Sequence, residues 1–271
     1  LDSIYREIEI LHKVIQQSNY LINKTEEDAV IQKYINILSV SSKKRMVLDA
    51  RKPQSLEIQH VTDILPNKYA VTDKADGERC FLLIHNKNVY LITGTLHVKK
   101  TGIELTKKQE SYNDTILDGE YIFLAKHNRH VFMAFDCLFN SGKDVRGEIS
   151  LLKRLQEVDD VIKNCFTPDE YKGYNVKVYE GKFDLHKILE FHKKQIDIMM
   201  DALDYDIRKN KKYPLIRKKY FTPSLGGQDN EIFKYSSMMW NKYVIDSNNK
   251  CPYILDGLIY HPLDQQYVTT V

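Results

Sequence analysis

Two apolar runs enclose a short polar stretch in the sequence Tyr69-Ala70-Val71-Thr72-Asp73-Lys74-Ala75-Asp76-Gly77-Glu78-Arg79-Cys80-Phe81-Leu82-Leu83-Ile84. The pattern predicts two buried strands joined by a tight connection, with Lys74 held rigidly near the end of the first strand. A lysine becomes a nucleophile only after it loses a proton, which desolvation or nearby positive charge favours. Arg79 or a bound metal would supply that charge, Gly77 would let the backbone turn around a ligand, and Asp76 would orient the amine.

A pair of carboxylates, Asp118 and Glu120, flanks Gly119 inside the apolar run from Thr115 to Phe123. Unpaired charges in a buried strand are costly, so these two acids require a cation or hydrogen-bond donors. The alternative is a β-bulge at Gly119 that turns both acids to solvent.

Two further apolar runs each carry a single acid. Asp136 lies within the run from Val131 to Phe139, directly after Phe135, and Asp256 precedes a glycine within the run from Tyr253 to Tyr260. A carboxylate in such a strand is a hard oxygen ligand suited to Mg²⁺ or Mn²⁺. Phe135 by itself is more typical of an ordinary core residue, since the segment is rich in large apolar side chains.

In this order, the four stretches resemble the motifs of the covalent nucleotidyltransferase superfamily, which comprises mRNA capping guanylyltransferases and ATP-dependent DNA and RNA ligases. Lys74 to Arg79 is similar to the K-x-D-G-x-R motif and Asp118 to Glu120 to the D-G-E motif. Val131 to Phe139 is similar to the motif with an aromatic residue before an aspartate, and Asp256 to Ile259 to the D-G-L-I form found in capping enzymes. The resemblance implies that Lys74 attacks the α-phosphate of a nucleoside triphosphate. Pyrophosphate then leaves, and a phosphoramidate-linked nucleotide remains on the lysine.

The same resemblance assigns roles to the other residues of these stretches. It implies that Arg79 and Glu120 hold the ribose and that Phe135 stacks on the purine, since a flat base buries well against a ring face. Nucleotide-binding residues are then Thr72, Asp76, Arg79, Glu120 and Phe135, and the ligands of Mg²⁺ or Mn²⁺ are Glu120 and Asp256.

The base is predicted to be guanine. Ligases usually carry a glutamate two residues before the lysine, where this chain has Thr72, and a hydroxyl suits guanine O6 at least as well as adenine N6. Glu78 is shared with ligases and favours the opposite choice. The resemblance therefore implies a guanylyltransferase of the kind found in large cytoplasmic DNA viruses, which takes GTP and passes GMP to the diphosphate 5′ end of RNA. An ATP-dependent ligase and an inert scaffold within a capping complex remain alternatives.

The chain departs from the family pattern near its end. It has no Lys or Arg after Lys250, whereas the family places phosphate-gripping lysines after the D-G-L-I motif, and it lacks room for the family's C-terminal OB-fold domain. Because it starts at Leu1 and stops at Val271, we expect a piece of a longer polypeptide that binds nucleotide poorly or turns over slowly. RNA triphosphatase and cap methyltransferase domains are the expected partners on that polypeptide.

The predicted fold class is α+β, an ATP-grasp-like nucleotidyltransferase domain of the ligase and capping-enzyme type, with antiparallel sheets flanking a nucleotide cleft and no OB domain. Residues 1–45 form a helical N-terminal segment, and 46–271 form the C-terminally truncated nucleotidyltransferase domain, with an insertion at about 165–250. The basic cluster at 208–220 is either an RNA contact or a solvated loop.

Composition excludes several classes. The 271 residues are 42% hydrophobic, and no stretch is long and apolar enough for a membrane helix or a signal peptide, so a cytoplasmic protein, or a virion protein if viral, is expected. The net charge of +3 is too small to indicate nucleic-acid binding by itself. Four cysteines without C-x-x-C spacing predict reduced core thiols.

Overall fold

The computed structural model describes residues 2–16, 18–40, 47–64, 68–167, 178–248 and 250–269. The helices are α1 (Asp2–Ile15), α2 (Lys24–Leu38), α3 (Leu151–Val161), α4 (Leu185–Lys209) and α5 (Glu231–Trp240), with short 3-10 and π turns between elements. The strands are β1 (Tyr69–Ala75), β2 (Glu78–His85), β3 (Asn88–Thr93), β4 (Val98–Glu104), β5 (Thr115–Leu124), β6 (Arg129–Asn140), β7 (Lys143–Asp144), β8 (Leu215–Lys218), β9 (Thr222–Pro223) and β10 (Leu255–Pro262).

Two sheets form the scaffold, which confirms the α+β class. The larger sheet has the order β4-β3-β2-β5-β6-β7, antiparallel throughout, and β8 adds to β6 in parallel. The smaller sheet has the order β10-β1-β9, also antiparallel. The hairpin of β2 and β3 turns at Asn86 and Lys87, which both have a positive φ. The polar connection after Lys74 thus carries the chain from one sheet to the other.

The central strands of the larger sheet, β2, β3, β5 and β6, are buried on both faces, because most of their residues are apolar. On one face α2 packs Val30, Tyr34 and Leu38 against Phe81 and its neighbours. The helix begins at an Asn23 cap, whose side chain accepts a hydrogen bond from the Glu26 backbone N–H at 2.8 Å. The opposite face packs against α3 and the π turn that follows it.

The predicted insertion contributes structural elements to both sheets. Helices α4 and α5 cover the outer face of the smaller sheet, where Val71 and Ala75 join a core of leucine, isoleucine, methionine and tyrosine side chains. Strand β8 extends the larger sheet and β9 the smaller one. Residues 41–46, at the predicted domain boundary, and 168–177, within the insertion, lie outside the described residues.

All four cysteines are free, and Cys80 and Cys137 are buried, as predicted. Across the described residues, none of the helices combines the length and the apolar character needed to span a membrane.

Burial of His192 in α4 makes the stability of the fold depend on pH. Its Nδ1 hydrogen-bonds to the Tyr220 hydroxyl at 2.7 Å, and burial lowers the pKa of His192 from 6.5 to about 4. Between these values the unfolded chain binds a proton that the folded chain does not, so the free energy of unfolding falls as the pH is lowered. We expect the loss between pH 7 and 4.5, measured by urea unfolding, to be about 2 kcal/mol smaller in His192→Asn than in the parent.

The matched control is His186→Asn, because His186 is exposed on the same helix. An equal pH dependence in the parent and in His192→Asn would contradict the prediction.

Candidate active site

Lys74 and Asp256 meet across two adjacent strands. In the antiparallel pairing of β1 with β10, Lys74 lies opposite Gly257, and the register then shifts before Ala75. Gly257 has φ of +135°, which favours glycine over any residue with a Cβ. The Lys74 ammonium contacts the Asp256 carboxylate, and the two side chains remain 41% and 62% exposed. The first and last predicted motifs therefore form one accessible lysine–carboxylate pair.

Asp118 and Arg79 form a buried ion pair in the larger sheet. Asp118 is fully buried, and its two oxygens accept from Arg79 Nη2 at 2.6 Å and Nε at 3.1 Å. Burial opposes the charge of the guanidinium, but Asp118 outweighs it and raises the pKa of Arg79. The Tyr267 hydroxyl donates a hydrogen bond to Asp118 at 2.6 Å. The acid of the D-G-E stretch thus positions an arginine, which the sequence prediction assigned to the ribose.

Gly119, between Asp118 and Glu120, lies at an irregularity of the larger sheet. A bulge between Asp118 and Gly119 interrupts the pairing of β5 with β6, as the solvent-exposed alternative required. The acids nevertheless face inward. At Gly119 itself, a Cβ would lie 2.3 Å from the Phe132 ring, so the backbone approaches that ring too closely for any other residue. The bulge is real, but the solvent-exposed alternative is wrong because both carboxylates have cationic partners.

Glu120 is held by Lys219, a residue that the sequence prediction did not identify. Lys219 is fully buried, and its ammonium donates to Glu120 Oε2 at 2.7 Å and to the Asp73 carbonyl at 3.0 Å. It also lies 5.8 Å from the centroid of the Phe135 ring. Lys219 therefore ties the residue before the nucleophile to the carboxylate predicted to bind ribose and metal.

Phe135 is partly buried between the two sheets. The Arg79 guanidinium lies 5.4 Å from its ring centroid, and the ring of His261 on β10 lies 5.9 Å away. Behind it, Asp136 accepts from Arg154 of α3 at 2.7 and 3.1 Å. Burial raises the pKa of Asp136 against the opposing effect of Arg154. An aromatic ring bordered by cations lines what we call the cleft, the space between β1–β10 and β5–β6.

Two predicted nucleotide-binding residues lie less favourably. Thr72 is fully buried, and its hydroxyl donates to the Tyr220 carbonyl at 2.7 Å, so its proton is not available to guanine O6 in this conformation. Asp76 lies exposed after β1, where its backbone N–H donates to the Ile254 carbonyl at 3.3 Å. The base preference drawn from Thr72 therefore loses its structural support.

The structure also divides the basic cluster at 208–220. Arg217 is buried against Asp206, and Lys219 points into the cleft, while Lys218 pairs with Asp159 and Arg208 with Asp204. Two of its seven basic residues, Arg217 and Lys219, therefore serve the folded interior rather than RNA.

The sequence contained one sign of the missed residues. Arg154 occupies the apolar stripe of α3, between Leu151 and Val158, where a charge must be paired. Lys219 had no such sign, because it follows Arg217 and Lys218 in a run of basic residues.

The fold, with a lysine at a strand end in contact with a carboxylate on the neighbouring strand, defines a nucleotidyltransferase domain. The chain belongs to the mRNA capping enzyme catalytic domain family, whose model matches residues 19–237. It is 34% identical over 271 residues, 99% of its length, to a probable mRNA-capping enzyme of Acanthamoeba polyphaga mimivirus, of which it spans 22%.

Solved structures of ligases show a weaker similarity. A mycobacterial DNA ligase D complexed with ATP and MES is 12% identical with a TM-score of 0.39, covering 81% of this chain and 55% of that one. The ligase domain of LigD from M. tuberculosis is 13% identical with a TM-score of 0.33, covering 74% and 50%.

The buried pair of Arg154 and Asp136 is predicted to contribute strongly to stability. Removing one partner leaves an uncompensated charge, so Arg154→Met should lower the free energy of unfolding by about 3–5 kcal/mol. Adding Asp136→Asn should recover much of that loss. Urea unfolding of the two single variants and the double variant measures the coupling.

Arg208→Met is the control, since Arg208 and Asp204 are 69% and 44% exposed and pair at 2.5 Å. Its expected cost is below about 1 kcal/mol. Equal losses from Arg154→Met and Arg208→Met would contradict the assignment.

Proposed function

We propose that this chain is a guanylyltransferase domain that transfers GMP from GTP, through Lys74, to the diphosphate 5′ end of RNA. The observation that carries the proposal is the contact of Lys74 with Asp256 at the mouth of a cleft that also holds Phe135. The lysine is accessible, while the carboxylates deeper in the cleft are paired with Arg79, Arg154 and Lys219. Membership of the capping-enzyme family supports GTP over ATP.

The reaction proceeds in two transfers. The lone pair of Lys74 Nζ attacks the α-phosphorus, the bond to the β-phosphate oxygen breaks, and pyrophosphate leaves with that electron pair. The ammonium proton must leave first, and Asp256 is the carboxylate in contact with it. A terminal oxygen of the RNA diphosphate then attacks the same phosphorus, and the P–N bond breaks to restore Lys74.

The residues behind Lys74 position the nucleotide. Phe135 offers a ring face for the purine. Glu120, held by Lys219, and Arg79, held by Asp118, present a carboxylate and a guanidinium at fixed places for the ribose and phosphates. Fixed charges of this kind stabilise a transition state without reorganisation during the reaction.

A divalent cation fits one side of this site. Within the described residues no group of three or more acidic, histidine or cysteine side chains gathers around one point. Mg²⁺, however, commonly uses one or two carboxylates together with substrate phosphates, and Asp256 is exposed beside the nucleophile. Asp256, with Glu120 from β5, would hold the ion, which when bound offsets negative charge on the α-phosphate and pyrophosphate.

The matched relative is much longer than this chain, which supports a place within a larger capping polypeptide. We propose that RNA triphosphatase and cap methyltransferase domains accompany it there, and that it acts in the cytoplasm of an infected host or in a virion.

Covalent labelling tests the assignment. Incubated with Mg²⁺ and α-labelled GTP, the chain should form an acid-labile adduct, and Lys74→Ala should abolish it because the substitution removes the proposed nucleophile. Lys153→Ala, on the exposed side of α3, should label normally. Labelling by ATP in place of GTP would assign a ligase-type activity, and labelling by neither would favour an inert scaffold.

Asp256→Asn tests the role of the carboxylate. It removes both the lysine's acidic partner and the proposed metal ligand, so the adduct rate should fall about a hundredfold or more and depend more steeply on Mg²⁺ concentration. The rate of adduct formation across a Mg²⁺ titration is the measurement. Asp264→Asn, an exposed acid just beyond β10, is the control, and equal rates in both variants would exclude Asp256 from the reaction.

A further inference from the structure

His261 lies on the cleft face of the smaller sheet, in line with the nucleophile. In the pairing of β1 with β10, Ala70 lies opposite His261, Thr72 opposite Ile259, and Lys74 opposite Gly257. Residues directly opposite each other project to the same side of a sheet, and alternate residues share a face. His261 and Lys74 therefore face the same space, about 13 Å apart along the strands at about 3.3 Å per residue.

The ring of His261 borders the proposed shelf for the purine. Its centroid lies 5.9 Å from that of Phe135, with the planes at 50°, and 5.2 Å from that of Phe221, at 79°. His261 is partly exposed as a residue, whereas Lys219 is fully buried. A base stacked on Phe135 would bring its edge toward this imidazole.

The surroundings of His261 favour a neutral imidazole. Burial is the main cause, and Arg51, Lys219, Arg79 and Arg154 add to it, so that the pKa of His261 falls to about 3. A neutral imidazole carries one N–H donor and one nitrogen lone pair that accepts. Over the described ranges, neither ring nitrogen of His261 forms a hydrogen bond with the protein, whereas buried His192 bonds to Tyr220. Buried polar groups normally have partners, so this edge is left for a ligand or solvent.

The neighbours of His261 determine what it can add to the site. Arg51, Arg79 and Lys219 can only donate hydrogen bonds. The nearby carboxylates accept, but Asp118 is bonded to Arg79, Asp136 to Arg154 and Glu120 to Lys219. Unlike these three carboxylates, the ring nitrogen of His261 is an acceptor near Phe135 that is not paired with a cation among the described residues. Guanine presents N1–H and a 2-amino group along one edge, and that edge requires an acceptor.

We infer that His261 is a specificity-determining residue, whose ring lone pair accepts a hydrogen bond from the 2-amino group of guanine stacked on Phe135. This inference rests on the proposed function, since it names how that site would choose its base. Adenine has no amino group at this position, and hypoxanthine, the base of inosine, differs from guanine by the loss of that group alone.

Comparison of guanosine and inosine nucleotides tests the contact. The parent chain should form its adduct from GTP about tenfold more efficiently than from ITP, the effect of one buried hydrogen bond. His261→Phe keeps an aromatic ring against Phe135 and Phe221 but removes the acceptor. It should bring the GTP:ITP ratio close to one, mainly by raising KM for GTP, and His261→Gln, which retains an acceptor, should keep most of the preference. An unchanged ratio in His261→Phe would overturn the inference.

Calorimetric binding of GMP and IMP to the same proteins separates this inference from the proposed function. It measures the base contact without the covalent step. If the parent binds GMP more tightly than IMP, and His261→Phe binds the two nucleotides equally, the role of His261 is supported even if no adduct forms. Equal binding of GMP and IMP by the parent refutes it, even if Lys74 is labelled by GTP. Thermal unfolding of each variant shows whether the fold is retained.

Discussion

The site depends on the pairing of negative charge buried in the larger sheet. Asp118 and Asp136 are 0% and 2% exposed, and a carboxylate in that environment is tolerated only with a cation and hydrogen bonds around it. Their partners arrive on different elements: Arg79 from β2 and Arg154 from α3. The ion pairs therefore form only when these elements are all in place, and the same contacts that hold the sheet and helix together fix the charges that line the cleft.

The pairing of β1 with β10 supplies the remaining constraint. Lys74 contacts Asp256, which lies 182 positions later in the chain, so the lysine meets its carboxylate partner only when these two strands pair. The segment beyond β10 then crosses to the larger sheet. The Leu151 N–H donates to the Leu263 carbonyl at 2.8 Å, and the Tyr267 N–H donates to the Arg146 carbonyl at 2.9 Å. Together with the bond from Tyr267 to Asp118, this crossing ties the two walls of the cleft to each other.

Much of the scaffold was predictable from local pattern. The strands around Lys74, Asp118, Phe135 and Asp256 lie where alternation and apolar runs place them, because strand formation there follows from side chains that must all be buried. The apolar stripe that predicts a helix within the insertion corresponds to α4. Its two short strands were not foreseen, since runs such as Thr222–Pro223 are too short to show a period and are ordered only by the edge of β1 that they join.

The sequence by itself determined which residues carry reactive groups and which strands hold them, because spacing along a strand sets the face on which each side chain lies. Only the tertiary structure decided how those groups are paired. Thr72 donates a hydrogen bond to a carbonyl 148 positions later in the chain, and Glu120 pairs with Lys219 from a basic run with no period. His261 lies beside Phe135 without a hydrogen-bond partner among the described residues. Each of these depends on electrostatic and hydrogen-bonding partners that are distant in sequence, and such partners are chosen by packing rather than by local pattern.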